Sequence, residues 1–294
     1  MRNLGKTIVI SGVAAAFGVG LLPVDSARAE YFVRPVLQYY GGMEDGLSIN
    51  DLASNSATFN DGFTHLEAYV DLGQGTIKTY LEMNGPTDVF GGATGVMRDR
   101  IVYTGDSATP VSFRYEYDSE IFADQLFTGT PPDFETRYIG IQAHFAIYEA
   151  GSNATWDDWT LFGTHSAEAL FVDYEGVTFQ NEPDNFYTFF NGGLGGDLYL
   201  TSGKAYDVFA AFNLIAVPGT LVGSITMNSL NTSTISIDAP GGSFTSESGQ
   251  FLGFAQTPQV GGVPEPAAWA LLIAGFGLVG GALRSRRRMS VSYA

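Results

Sequence analysis

The stretch LEAYVDL, residues 66–72, alternates apolar side chains with Glu67, Tyr69 and Asp71. Residues 111–117 (VSFRYEY) and 139–147 (IGIQAHFAI) follow the same two-residue period. Because side chains of a β-strand point alternately to its two faces, this period predicts strands that are buried on one face.

Similar short runs recur along the chain and are separated by clusters of Gly, Asn, Asp and Pro. They lie at residues 76–81, 169–174, 198–201, 208–217, 221–227 and 234–237. No run of twelve or more residues combines a helical period with a cap at both ends. We therefore predict an all-β domain over residues 30–253, an antiparallel β-sandwich or jelly roll, with long loops at 41–56, 85–94 and 149–159.

The N-terminal segment, residues 1–29, has the three parts of a secretory signal peptide. A basic start precedes an apolar run at residues 8–22, and the small residues Ala27 and Ala29 follow. Signal peptidase cuts after such small residues, so cleavage is expected before Glu30. The alternative is a short anchor helix that stays uncleaved.

The C-terminal segment combines Pro264-Glu265-Pro266, an uncharged run at residues 267–283 (AAWALLIAGFGLVGGAL), and a cluster of basic residues. The basic residues are Arg284, Arg286, Arg287 and Arg288. A helix over the uncharged run is about 26 Å long, near the lower limit for crossing a hydrocarbon core of about 30 Å. Arginines resist translocation, so we predict a transmembrane helix with its end in the cytoplasm and the body outside.

This order of parts, with Trp269-Ala270 following the Pro-Glu-Pro motif, resembles the PEP-CTERM sorting signal in its PEPxxWA variant. The resemblance covers residues 264–294, and residues 254–263 before it are expected to be a linker. It implies an exported precursor held in the inner membrane, which an exosortase, a membrane protease-transpeptidase, recognises and cleaves near Pro264–Pro266. The body would then reach the cell surface or the exopolysaccharide matrix of a Gram-negative bacterium.

The charge of the body, residues 30–263, excludes several classes of protein. The terminal segments contain seven of the 14 basic residues but only two of the 31 acidic ones, which leaves seven basic and 29 acidic residues and a net charge of −22. Such a body is expected to repel polyanions and does not suit nucleic-acid binding. The chain has no Cys, so it contains neither disulfides, thiolate zinc sites nor a Cys nucleophile.

Two indoles, Trp156 and Trp159, flank two acids on the expected loop at 149–159. Exposed aromatic rings offer flat apolar faces to sugar rings, and carboxylates accept hydrogen bonds from hydroxyl groups. These tryptophans are therefore candidate carbohydrate-binding residues, and further rings follow nearby at Phe186, Tyr187, Phe189 and Phe190. The alternative is that the rings fill the core of the sandwich.

Four acidic residues within a short stretch are candidate calcium ligands: Asp157, Asp158, Glu182 and Asp184. Calcium takes six to eight oxygen ligands, often from loops, and it would fix loops that no disulfide can fix. The alternative is that these acids only form a soluble surface.

For the body, the sequence favours a non-catalytic protein that binds carbohydrate or has a structural role. The alternative is a secreted hydrolase acting on polysaccharide, which would need two carboxylates facing one cleft. Serine hydrolysis has little support, because Ser166 beside His165 lacks the flanking glycines of a nucleophile elbow.

Overall fold

The computed structural model describes nine segments of the chain. They are residues 31–39, 42–49, 51–85, 90–124, 138–150, 169–179, 185–217, 223–230 and 233–256. The predicted signal peptide and the predicted C-terminal helix lie outside these segments. Within the described segments, no helix is both long enough and apolar enough to cross a membrane.

Sixteen strands and one short 3₁₀ helix, Phe251–Gly253, make up the regular structure of the described residues. The strands are β1 Phe32–Tyr39, β2 Gly42–Asp45, β3 Ser48–Ile49, β4 Ser54–Asn60, β5 Thr64–Asp71, β6 Thr76–Asn84, β7 Gly91–Gly105, β8 Val111–Asp124, β9 Tyr138–Glu149, β10 Phe171–Phe179, β11 Asn185–Leu198, β12 Ala205–Val217, β13 Ser224–Ser229, β14 Thr234–Asp238, β15 Gly242–Ser246 and β16 Ala255–Gln256.

The first sheet, sheet I, has the strand order β10–β9–β12–β7–β1–β2. At two places in this sheet, two strands lie end to end beside the same neighbouring strand. Strand β3 continues the line of β2 along β1, and β15 continues the line of β1 along β7. Only β16 pairs in parallel, with β15, among the strand pairs of the described residues.

The second sheet, sheet II, has the strand order β11–β8–β13–β6–β5–β4, and β14 also lies between β8 and β6. Strands β13 and β14 therefore form one interrupted line. Asn228 pairs with Glu120 and Thr234 pairs with Glu116 on β8. Residues 231–232, between the two strands, lie outside the described segments.

The core lies between the two sheets, and the two-residue period determines which side chains enter it. Leu66, Ala68, Val70 and Leu72 are all buried there, as the alternation in residues 66–72 predicts. Each Leu, Val or Phe side chain that is fully buried contributes about 1.5–3 kcal/mol. The predicted two-layer antiparallel β-sandwich is confirmed.

Two predicted loops are wrong in part. Residues 41–56 contain β2, β3 and the start of β4, and residues 85–94 run into β7, which begins at Gly91 in the centre of sheet I. The glycines of β7 allow the two sheets to approach each other closely. A Cβ on Gly95 would lie 2.3 Å from Ile77 Cγ2, and one on Gly91 would lie 3.1 Å from Met83 Sδ. Glycine thus gives this central strand the composition of a loop.

The start of the predicted linker also belongs to the sandwich. Ala255–Gln256 form β16, and Phe254 stacks on Phe244 with 5.3 Å between ring centroids. The described part of the sandwich therefore extends to Gln256, and the remaining linker residues, 257–263, lie outside the described segments.

Asp99 is a fully buried carboxylate on β7, between the core residues Met97 and Ile101. Both the backbone amide and the hydroxyl of Ser248 donate hydrogen bonds to it, and the backbone amide of Arg100 donates a third at 2.8 Å. Burial nevertheless raises the pKa of Asp99 to about 7.

This raised pKa predicts a specific pH dependence of stability. The folded chain binds a proton at Asp99 more tightly than the unfolded chain does, so this group should lose stability as the pH rises from about 4 to about 7. The full effect is on the order of 4 kcal/mol. We expect Asp99→Asn to remove this pH dependence. In urea denaturation, the free energy of unfolding of the variant should therefore rise relative to that of the wild type as the pH rises from about 4 to about 7.

The comparison with the variant also controls for His144, whose pKa burial lowers to about 4. His144 changes stability in the opposite direction, with stability lost as the pH falls from about 6.5 to about 4. Both proteins contain it, so its contribution cancels. A stability difference between wild type and variant that stays constant with pH would contradict the raised pKa.

Candidate functional site

Most of the site residues that the sequence predicts lie outside the described segments. This holds for the candidate carbohydrate-binding residues Trp156 and Trp159 and for the candidate calcium ligands Asp157, Asp158, Glu182 and Asp184. It also holds for the cleavage residues Ala27 and Ala29 and for the sorting residues Pro264, Glu265, Pro266, Trp269, Ala270, Arg284, Arg286, Arg287 and Arg288. These residue assignments therefore stay predictions.

The outer face of sheet I is largely buried along β9, β12, β7 and β1, whereas Val172 and Tyr174 on the edge strand β10 are exposed. A second apolar cluster forms on this face around Tyr148 and Phe209. Beside this cluster, Asp207 accepts hydrogen bonds from Arg98 Nη2 and Arg100 Nε, each at 2.8 Å. Asp207 is fully buried and Arg98 nearly so, which makes this a largely buried charge network, and the face offers little open surface there.

The outer face of sheet II is open and displays aromatic rings. Along β8 and β11, every second side chain points away from the core. Phe122, Tyr187 and Phe189 occupy such positions and are 46%, 57% and 58% exposed. We call these three residues the aromatic patch. Adjacent exposed rings of this size are unusual on a soluble protein unless they serve an interaction.

Strand pairing holds the rings of the aromatic patch in fixed positions. Tyr187 lies directly across from Phe122 in the β11–β8 pair, and Phe189 lies across from Glu120. The rings of Tyr187 and Phe189 meet edge to face, with centroids 5.0 Å apart. Because the rings stand on paired strands, a ligand would meet a surface that is already ordered.

Polar side chains continue the same face toward the β4 edge. One row of outward residues crosses the sheet through Tyr187, Phe122, Thr226, Glu82 and His65. With about 4.8 Å between neighbouring strands, this row is about 19 Å long. The face is therefore long enough for an extended ligand that runs across the strands.

The polar end of this row is an acceptor cluster made of His65, Glu67, Tyr80, Glu82 and Asn84. Glu82 accepts hydrogen bonds from the Tyr80 hydroxyl at 2.9 Å and from Asn84 Nδ2 at 3.0 Å. His65 Nε2 lies 2.8 Å from Glu67 Oε1, and the His65 ring meets the Tyr80 ring edge to face. The cluster therefore presents two carboxylates in fixed positions.

The hydrogen bonds within the acceptor cluster also set its charge. Those from Asn84 and Tyr80 lower the pKa of Glu82, while burial and the bond to Glu82 raise the pKa of Tyr80 to about 12. At neutral pH, Glu82 is thus an anion that accepts hydrogen bonds, and Tyr80 stays protonated.

Two shallow depressions lie on this face of sheet II. One lies beside Tyr69, Lys78 and Leu230, and the other lies beside Phe63 and His65. The described residues contain no group of three or more His, Asp or Glu side chains that could hold a metal ion. The described face thus offers rings for stacking and oxygen atoms that accept hydrogen bonds.

The sequence indicates two rings of the aromatic patch, Tyr187 and Phe189, but not the third, Phe122. Of the four rings that follow the predicted loop acids, Tyr187 and Phe189 are exposed, whereas Phe190 is buried and Phe186 packs against the core. Phe122 was missed, although the sequence contains a signal for it. The other outward positions of β8 are polar or charged, so an aromatic residue at one of them is an exception.

One comparison with known proteins concerns the sandwich, and another concerns the C-terminal segment. A solved structure of a family 11 carbohydrate-binding module from Clostridium thermocellum, in complex with a β-1,3-1,4-mixed-linked tetrasaccharide, is similar at 9% sequence identity. The match covers 67% of this chain and 93% of that chain, with a TM-score of 0.21. A comparison with curated protein sequences finds no match.

The family model of the PEP-CTERM protein-sorting motif matches residues 262–288. This match confirms the resemblance that the sequence shows at its C-terminal end. The matched residues do not include the sandwich. The motif implies an exported precursor that an exosortase recognises and processes for the cell surface. Residues 262–288 therefore contain a PEP-CTERM protein-sorting motif, and in the sequence this motif follows a β-sandwich with an exposed aromatic face.

Proposed function

We propose that this exported protein is a non-catalytic carbohydrate-binding protein of the cell surface or extracellular matrix of a Gram-negative bacterium. Its signal peptide directs export, its C-terminal helix holds the precursor in the inner membrane, and an exosortase releases the body from that helix. The body then binds exopolysaccharide through the outer face of sheet II.

The observation that carries this proposal is the aromatic patch beside the acceptor cluster. A sugar ring has an apolar face of C–H groups and a rim of hydroxyl groups. Stacking on Phe122, Tyr187 or Phe189 would remove apolar area of both partners from water. The carboxylates and amides next to the rings would accept and donate hydrogen bonds at the rim.

The open shape of this face favours binding over hydrolysis. A glycosidase places an acid and a second carboxylate on either side of one glycosidic bond. The acceptor cluster has two carboxylates, Glu67 and Glu82, but they lie on neighbouring strands of an open sheet face beside shallow depressions. We therefore propose that the body holds its glycan without cleaving it.

Removing the rings of the aromatic patch should weaken glycan binding strongly. We expect the triple variant Phe122→Ala, Tyr187→Ala, Phe189→Ala to lose at least tenfold in affinity, because stacked rings typically contribute on the order of 1 kcal/mol each. Affinity electrophoresis in gels that contain exopolysaccharide of the producing strain measures this loss.

The matched control is Tyr199→Ala, since Tyr199 is 71% exposed but lies beyond the end of β11. This control should bind like the wild type. Equal binding by the triple variant and the wild type would remove the aromatic patch as the binding site. It would direct attention to Trp156 and Trp159, the other candidate rings.

Calcium is a proposed cofactor, with Asp157, Asp158, Glu182 and Asp184 as its proposed ligands. If these acids hold calcium only in the folded chain, millimolar calcium should stabilise the body by about 3 kcal/mol at a hundredfold excess over Kd, or roughly 5–10 °C in Tm. Differential scanning calorimetry with and without calcium measures the shift. A variant with all four acids changed to their amides should lose it, and an unchanged Tm in the wild type rules the site out.

A further inference from the structure

The aromatic patch lies within an acidic surface. The outward positions of β8 next to it are occupied by Glu116, Asp118 and Glu120, and Glu82 follows two strands away in the row through Phe122. The acids are thus adjacent to the rings on the same face, where a bound ligand would contact both.

One carboxylate in particular has no partner among the described residues. Glu120 lies directly across from Phe189 on β11 and across from Asn228 on β13. It is exposed, and no hydrogen bond or ion pair of the described residues involves it. Side chains in directly opposed positions have Cβ atoms about 5 Å apart, so this carboxylate lies beside the Phe189 ring.

The few cations on the described part of this face are engaged elsewhere. Arg114 lies 3.3 Å from Asp197 and also donates to the carbonyl oxygen of Phe113 at 2.7 Å. Lys78 lies over the Tyr69 ring at 6.0 Å from its centroid. The negative charge beside the aromatic patch is therefore not neutralised by neighbouring basic side chains.

From this charge distribution, we infer that the ligand of the aromatic patch is a glycan with free, protonated amino groups. The inference rests on the proposed function and specifies the class of its ligand. An ammonium group gains twice at this site, because it is attracted both by the face of an aromatic ring and by a carboxylate beside that ring. A neutral glycan gains from stacking and from hydrogen bonds to its hydroxyl groups but not from attraction between opposite charges, and the net charge of −22 on the body opposes a polyuronate.

Binding of three probes to the full chain in non-ionic detergent tests this inference. The probes are chitosan hexamers, their fully N-acetylated counterparts and oligogalacturonate of similar length, each titrated calorimetrically. We expect chitosan hexamers to bind at least tenfold more tightly than the N-acetylated hexamers, and oligogalacturonate not to bind. The preference should weaken as salt is added, because salt screens exposed charges.

Substitutions assign the preference to this site. The double variant Glu82→Gln, Glu120→Gln should weaken binding of chitosan hexamers about tenfold more than it weakens binding of the N-acetylated hexamers, because an amide still forms hydrogen bonds with hydroxyl groups but does not attract an ammonium group by charge. The matched control is Glu149→Gln, a change of an exposed carboxylate at the end of β9 in sheet I, and it should leave both affinities unchanged.

The outcomes separate this inference from the proposed function. Equal affinity for acetylated and free hexamers, lost in the triple aromatic variant, overturns the amine preference but keeps carbohydrate binding. Chitosan binding that survives the triple aromatic variant is general attraction to an acidic protein, and it overturns the inference. If none of the probes and no exopolysaccharide binds, both the inference and the proposed function are wrong.

Discussion

A chain that lacks residues 264–294 is expected to be exported as a soluble body, whereas the full chain should first appear as a membrane-bound precursor. The deletion removes the 17-residue uncharged run and the four arginines that follow it. Moving these arginines through the hydrocarbon core is costly, so in the full chain they are expected to hold the predicted helix in place until it is cut. Fractionation of cells into membrane and soluble material measures the difference.

Substitution of the motif itself should block processing while anchoring is preserved. Prolines interrupt regular structure, so Pro264 and Pro266 are expected to keep an extended segment open to the protease. We expect Pro264→Ala with Pro266→Ala to make the uncut precursor accumulate. The matched control is Pro258→Ala, a proline outside the motif in the predicted linker.

Mass spectrometry of the mature surface protein decides between processing and simple anchoring. Exosortase processing predicts that peptides from Trp269 to Arg284 are absent from the mature form and present in the precursor. Peptides of this region that persist in the mature protein would make the segment an ordinary membrane anchor.

The substitution Gly195→Ala is expected to destabilise the sandwich strongly, by about 3–5 kcal/mol. Gly195 lies in β11 with φ of +147°, and a Cβ there would lie 2.1 Å from the backbone oxygen of Phe113 on β8. Both the backbone conformation and the space therefore require glycine. Thermal unfolding should show a Tm lower by roughly 10 °C.

Gly193→Ala is the matched control, because Gly193 lies two residues away on the same face of β11. A Cβ at Gly193 would lie 3.7 Å from the backbone oxygen of Tyr115, an ordinary contact. We expect this variant to unfold within a few degrees of the wild type. Equal losses in the two variants would mean that the β11–β8 pairing is not as tight as the register indicates. Because β11 supports Tyr187 and Phe189, Gly195→Ala should also weaken glycan binding.

The fold class was readable from the sequence because alternation in a half-buried strand depends only on neighbouring residues. Residues 66–71, 111–117 and 139–147 all form strands whose apolar positions face the core. Strands with many glycines were harder to recognise, since glycine is depleted in most strands. In β11, a Cβ on Gly196 would lie 2.6 Å from the Phe171 ring, so the loop-like composition reflects close packing.

The aromatic patch could be predicted only in part, because its geometry depends on contacts between distant segments. Alternation within residues 185–190 separates outward Tyr187 from inward Phe186 and Phe190. The position of Phe122 beside Tyr187 depends on the register of β11 on β8, which joins residues more than 60 positions apart. No local pattern in the sequence fixes that register.

The position of the bound glycan is the most direct test of carbohydrate binding on the outer face of sheet II. Chemical shifts of isotopically labelled protein can be followed while chitosan hexamers or the N-acetylated hexamers are added. Binding on this face should change the ring signals of Phe122, Tyr187 and Phe189 and the backbone signals of Thr226. Changes confined to the indole signals of Trp156 and Trp159, or to the outer face of sheet I at Tyr174 and Gln142, would contradict it.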